Sequence, residues 1–194
     1  MSDSLIIFFG AMLTHNIALT YILGMCPMIG VSKNLKTAFG MGMSVTFVVT
    51  ITALVNWPIY NLILVPTGSE ILTYVVFIVT IAASVQLLEM LLERFIPALY
   101  SAFGIYLPLI TVNCVVLAVS LFMVLRNYSL LQTVFFAGGS ALGWMMTIVI
   151  LAAIREKLEL VGDIPEGLKG HGITMIILGI LALAFMGFGG MVNV

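Results

Sequence analysis

Charge divides this chain more sharply than any other property. Residues 4–32, 37–69, 71–88, 95–125, 127–154 and 170–194 contain no Asp, Glu, Lys or Arg, leaving uncharged runs of 29, 33, 18, 31, 28 and 25 residues. A stretch of about 18 apolar residues suggests a helix that crosses a bilayer, and all six runs reach that length. Hydrophobic residues make up 62% of the chain and charged ones 8%, against roughly a quarter charged in a soluble domain. The sequence therefore predicts an all-α integral membrane protein with six transmembrane helices, near 5–26, 38–63, 71–92, 98–122, 129–153 and 172–191. The first run is not expected to be a cleaved signal peptide. Asp3 stands where a basic segment belongs, and no small-residue cleavage site follows.

The basic residues set the expected orientation. Lys33, Lys36, Arg94, Arg155, Lys157 and Lys169 fall in the loops after helices one, three and five, and Arg126 alone falls on the other side. The positive-inside rule then puts those three loops in the cytoplasm and both termini outside. The longest exposed stretch is "REKLELVGDIPEGLKGHG", well short of the roughly 50 residues of a folded domain. Residues 1–194 are expected to form a single membrane domain, partnered by the lipid bilayer and not by nucleic acid. Its function must lie within the bilayer or depend on partner subunits.

Internal similarity is present but weak. A slide of 88 residues pairs Ile22 with Ile110, Cys26 with Cys114, Val31 with Val119 and Ser32 with Ser120; a slide of 96 pairs Thr37 with Thr133, Phe39 with Phe135, Gly42 with Gly138 and Ser44 with Ser140. Apolar sequences also match one another by chance. Taken as real, the match divides the chain into repeats of about 1–96 and 97–194 with three spans each, so the second half runs inverted relative to the first. Inverted repeats place function near the midplane, on helices broken by Gly, Pro or polar residues. Helices one and four fit: the first holds Thr14, His15 and Asn16 and ends "LGMCPMIG", and the fourth holds Gly104, Pro108 and Asn113. A cysteine stands beside each break.

Three readings of Cys26 and Cys114 are open from the residues alone. Free cysteine packs well as a small hydrophobe. A disulfide needs the pair within bridging distance, which nothing in the sequence provides. Thiolates also ligate iron–sulfur clusters, but these take four ligands and the chain has two thiols, so another subunit would have to supply the rest.

The segments "LGMCPMIGVSKNLKTAFGMGMSVTFV", "ALYSAFGIYLPLITVNC", "AAIREKLEL" and "LAFMGFGG" closely resemble the paired six-helix membrane subunits of the Rnf and sodium-translocating Nqr complexes. The resemblance runs from about Thr14 to Met191 and is nearest the branch of the Rnf A and Nqr E subunits. "CPMIGVSK" leans to Rnf, whereas "TVNC" and "GLKGHGIT" lean to Nqr. It implies a non-autonomous subunit of an ion-translocating oxidoreductase in a bacterial or archaeal cytoplasmic (inner) membrane. It further implies a 2Fe–2S cluster shared with a homologous sister of inverted topology (Rnf E or Nqr D type), with flavin-carrying and iron–sulfur subunits nearby. Electron transport through such a complex is coupled to Na+ or H+ movement. Carried over, the metal ligands are Cys26 and Cys114, and Gly24, Met25, Val112 and Asn113 are expected around them as hydrogen-bond donors to sulfur. A secondary transporter without a redox centre is the rival reading, since it too would show inverted repeats and broken helices.

Other polar residues carry plainer expectations. Glu89, Glu93 and Arg94 fall at the cytoplasmic end of helix three, and His15 with Asn16 lies deeper, where packing or an ion route are the two readings. The glycines of "GMGMS", "AGGSALG" and "FMGFGG" predict close helix contacts.

Overall fold

The computed structural model describes residues 2–68, 70–95, 110–161 and 170–187. Within them the chain is helical, with six apolar stretches at Ser4–Thr14, Leu35–Leu64, Thr73–Leu87, Cys114–Leu125, Leu130–Val161 and His171–Met186. Gly104, Pro108 and the first half of the predicted fourth helix, the loop residues up to Lys169, and Gly189 and Gly190 lie outside the described residues.

The first predicted helix is three pieces. Helix α1 (Ser2–Phe9) runs into a π-helical turn at Gly10–Thr14, closed by the His15 N–H donating to the Gly10 carbonyl at 2.8 Å. The chain then leaves the helix at Asn16, whose Oδ1 accepts from the Ala18 N–H at 3.1 Å and caps the short α2 (Ile17–Thr20). A second break follows, with Ile22 at φ 56 and Gly24 at φ 80, before α3 (Met25–Val31). Left-handed backbone costs a β-branched residue about 1–2 kcal/mol, so the strain at Ile22 must be held by its surroundings.

The two longest helices form the centre. Helix α4 (Leu35–Ile59) contains Pro58 and continues through a π turn at Tyr60–Leu64 into α5 (Val65–Thr67). A 3-10 turn at Glu70–Leu72 leads to α6 (Thr73–Phe95). Further along the chain come α7 (Cys114–Leu125), α8 (Leu130–Val161) and α9 (His171–Met186). The predicted fifth helix ended at 153, but α8 carries on to Val161, so Arg155 and Lys157 are helical.

Three- and four-residue spacing explains why α4 and α8 pair. Ala38, Met41, Val45, Val49 and Ala53 make one face of α4, and Ala137, Ala141, Trp144, Ile148 and Leu151 make one face of α8. All are buried in the same core cluster. Small residues let the backbones approach. A Cβ on Gly143 would stand 2.7 Å from the Met12 carbonyl oxygen, one on Gly139 would meet the Phe8 carbonyl, and one on Gly42 would strike the Met145 side chain. The close-contact expectation thus holds for "GMGMS" and "AGGSALG". It fails at Gly187, whose nearest neighbour is Ala184 O of its own last turn, at 3.6 Å.

The α7–α8 connection is a local device. Ser129 and Gln132 cap α8 reciprocally, with the Ser129 N–H donating to Gln132 Oε1 at 3.1 Å and the Gln132 N–H donating to Ser129 Oγ at 3.5 Å. Trp57 Nε1 donates to the Tyr128 carbonyl at 2.9 Å and ties the turn to α4.

Candidate functional site

Both cysteines stand in the first turn of a helix because the chain breaks immediately before each. Gly24 takes the left-handed conformation that ends the second break, Met25 opens α3, and Cys26 follows. Pro27 fits that first turn because its missing N–H has no partner to lose there. In the second half the chain is helical at residues 110–111, leaves the helix at Val112 and Asn113, and resumes at Cys114. Asn113 Oδ1 accepts from the Val115 N–H at 3.1 Å, so the side chain caps its own helix. Asn16 does the same at the first break.

The fold brings the two cysteine segments together at one glycine. A Cβ on Gly24 would lie 2.6 Å from Val115 Cγ2, 3.1 Å from Asn113 Oδ1 and 2.6 Å from Trp144 Nε1. Gly24 thus sits two residues before Cys26 and against both neighbours of Cys114. A residue with a side chain has no space there and would also have to adopt φ 80. Both cysteines are free and exposed. The structure therefore brings Gly24 and Asn113 together in the buried floor and leaves Cys26 and Cys114 at the surface. Met25 is half-buried and Val112 is 69% exposed.

Two buried N–H donors in this floor have no partner. They are Asn113 Nδ2 and Trp144 Nε1, and leaving a buried donor unpaired costs about 1–3 kcal/mol. Among the described residues, no group of three or more His, Cys, Asp and Glu side chains converges.

Helix α8 contributes two side chains that sequence reasoning missed. Trp144 is fully buried against Gly24. Arg155, read from the sequence as a loop residue, is 5% exposed; its Nη1 donates to Ser32 Oγ at 2.6 Å and to the Ile29 carbonyl at 3.2 Å. The available signal was periodic: 137, 141, 144, 148, 151 and 155 continue one helical face. Asn16 joins the same helix, donating from Nδ2 to the Gly143 carbonyl at 2.9 Å and to Thr147 Oγ1 at 3.1 Å. In the other direction, Asn56 Nδ2 of α4 donates to Ser120 Oγ of α7 at 2.9 Å.

A separate cavity of about 300 Å³ lies at the first break, lined by Thr14, His15, Asn16 and Thr20 and by Ala182 and Phe185 of α9. His15 is half-buried there, with Nδ1 unpartnered. At the end of α6, Glu93 and Arg94 are exposed and Glu89 is partly so, as their position in the sequence suggested.

Comparison with known proteins agrees along the whole chain. Residues 4–192 match the family described as "Rnf-Nqr subunit, membrane protein". The chain is 45% identical over 194 residues, all of both chains, to the A subunit of the proton-translocating ferredoxin:NAD(+) oxidoreductase complex of Clostridium ljungdahlii. It is 45% identical to the E subunit of the Na(+)-translocating NADH-quinone reductase of Photorhabdus laumondii and 47% identical to that of Serratia proteamaculans, in each case over 196 residues and 98% of both chains. The chain belongs to the Rnf–Nqr family of membrane subunits.

Proposed function

We propose that this chain is a membrane subunit of an ion-translocating oxidoreductase of the Rnf type, and that Cys26 and Cys114 are half the ligands of a 2Fe–2S cluster completed by an inverted sister subunit. One observation carries the reading. Gly24, two residues before Cys26, packs against both neighbours of Cys114, 88 residues further along the chain, and both cysteines are exposed. A cysteine used only for packing would be among the most buried residues. A pair presented at the surface suits a ligand set shared across an interface.

The residues also suit the chemistry of the group. Thiolate is the soft donor that iron–sulfur clusters take, and the cluster supplies one-electron transfer when bound. The first turns of α3 and α7 direct the partial positive charge of their backbone amides toward the sulfurs. Asn113 Nδ2 and Trp144 Nε1 lack an acceptor within the chain, but they are buried beneath the exposed thiols and are not among the proposed donors to the cluster. The equivalent subunit of a Na+-translocating NADH:quinone reductase would use the same residues in the same way.

Six spans and outward termini complete the proposal. Lys33 and Lys36 are exposed beside the α3–α4 turn, Arg94 ends α6, and Arg155 and Lys157 lie near the end of α8. The inverted-repeat reading gains support from paired contacts: Ser32 accepts from α8, and its counterpart Ser120 accepts from α4.

Two measurements test these points. Expressed alone, the chain should purify with little stoichiometric iron, and co-expression with its sister should restore it, because two thiols cannot complete a four-ligand site. A stable cluster in the verified monomer would overturn the ligand count. For topology, single cysteines are placed at Lys36 and Asn127 in a background lacking Cys26 and Cys114, then treated on intact cells with an impermeant thiol reagent. Position 127 should label and position 36 should not; the reverse would invert the protein.

A rival transporter reading rests on the cavity beside His15. It predicts that serine at both cysteine positions leaves ion movement intact.

A further inference from the structure

Arg155 is a basic side chain built into the core of a membrane protein, and burying a guanidinium is expensive unless its position is useful. It lies on the face of α8 that also carries Trp144, eleven residues or about 16 Å earlier along the helix. The two side chains grip α3 at opposite ends. Trp144 meets Gly24, the cap before Met25, while the Arg155 guanidinium meets Ile29 in the last turn and Ser32 just past it. Gly24 and Ser32 are roughly 12 Å apart along α3, shorter than the span on α8, and the long Arg155 side chain reaches the difference.

The charge itself is not neutralised by these bonds, since Ser32 Oγ and the Ile29 carbonyl are both uncharged. Glu159, one turn further along α8, acts on the guanidinium from an exposed position and offsets its charge only in part. Along α3, Cys26 stands six residues, or about 9 Å, before Ser32, which holds the guanidinium. In the poorly screened interior of a membrane protein, a fixed charge acts strongly over that distance.

We propose that Arg155 is a positioning residue for Cys26 and that its buried charge favours the reduced, more negative state of the centre that Cys26 ligates. This inference rests on the cluster reading above. One-electron reduction adds one negative charge to the centre, and the cation at the far end of α3 stabilises that state more than the oxidised one. Ser32 and Ile29 fix where the charge stands, and Trp144 fixes the other end of the helix.

The test is redox titration of the electron paramagnetic resonance signal of the assembled complex in wild type, Arg155→Gln, Arg155→Lys and Ser32→Ala. Arg155→Gln should move the midpoint to more negative potential, and Arg155→Lys, which keeps the charge, should restore most of it. Ser32→Ala retains the charge and the Ile29 bond, so it should assemble, broaden the signal and leave the midpoint near wild type. Equal midpoints in wild type and Arg155→Gln would overturn the electrostatic role. Should Arg155→Gln fail to assemble, the midpoint of Arg155→Lys decides instead, because a lysine midpoint far from wild type would also overturn that role. A Ser32→Ala signal identical in shape to wild type would overturn the anchoring. A wild-type complex with no signal dependent on Cys26 and Cys114 is a separate outcome: it overturns the cluster assignment itself, and this inference with it.

Discussion

Replacing Cys114 with serine should abolish the iron–sulfur signal of the reduced complex and its electron flow to the terminal acceptor, while leaving all subunits assembled. The exposure of Cys114 makes this a clean experiment. A surface substitution of nearly equal size typically changes stability by no more than about 0.5 kcal/mol, so the fold has little reason to respond. Serine can still open α7, because the cap comes from Asn113 Oδ1 and not from the thiol. What changes is the donor atom, from a soft thiolate to a hydroxyl that binds iron poorly. Half-reactions at the subunit where electrons enter should continue. Cys26→Ser should behave the same way, since that thiol is exposed beside the same glycine contact. Paramagnetic resonance and turnover on a complex whose subunits co-purify decide the matter, and normal signal and turnover in either variant would end the cluster proposal.

Gly24→Ala should be far more damaging than its single methyl group suggests. The new Cβ must accept φ 80, at about 1–2 kcal/mol, and must displace Val115 or Trp144, which stand 2.6 Å from its position. Overpacking of this kind adds roughly 1–3 kcal/mol, so the total cost is about 2–5 kcal/mol. Either relief, moving α7 or moving Trp144, changes the spacing between the cysteine segments. Thermal unfolding of the purified complex should fall, and iron content should fall with it. Gly30→Ala is the control, because nothing lies within 4 Å of a Cβ there. Equal stability in the two variants would show that the Gly24 contact is not a constraint.

What was legible in the sequence was what local pattern and charge encode. The uncharged runs foretold helices because a lipid-facing segment must exclude charge along its whole length. The breaks at Gly24 and at Val112–Asn113 were readable because Gly and Asn have known backbone preferences. The break at His15–Asn16 was flagged only as a polar spot, since an asparagine inside an apolar run can cap a new helix or bond sideways; here Asn16 does both. Trp144 and Arg155 were invisible as parts of the site. Their partners lie more than a hundred residues away in sequence, and Arg155 counts equally well as a cytoplasmic loop charge until α8 is seen to continue past it.

The long reach of these contacts sets an order of events during synthesis. Ser32 and Arg155 are 123 residues apart, and Asn16 and Thr147 are 131 apart. A ribosome that has made only the first three helices has therefore released Cys26 on a short helix that packs on α4 but lacks its contacts with Trp144 and Arg155. Its helix gains those two contacts only when α8 inserts. On the cluster proposal, metal delivered before that moment would meet α3 without the α8 side chains that anchor it. Loading of the proposed cluster would then wait until the chain is nearly complete, with no separate factor needed to enforce the delay.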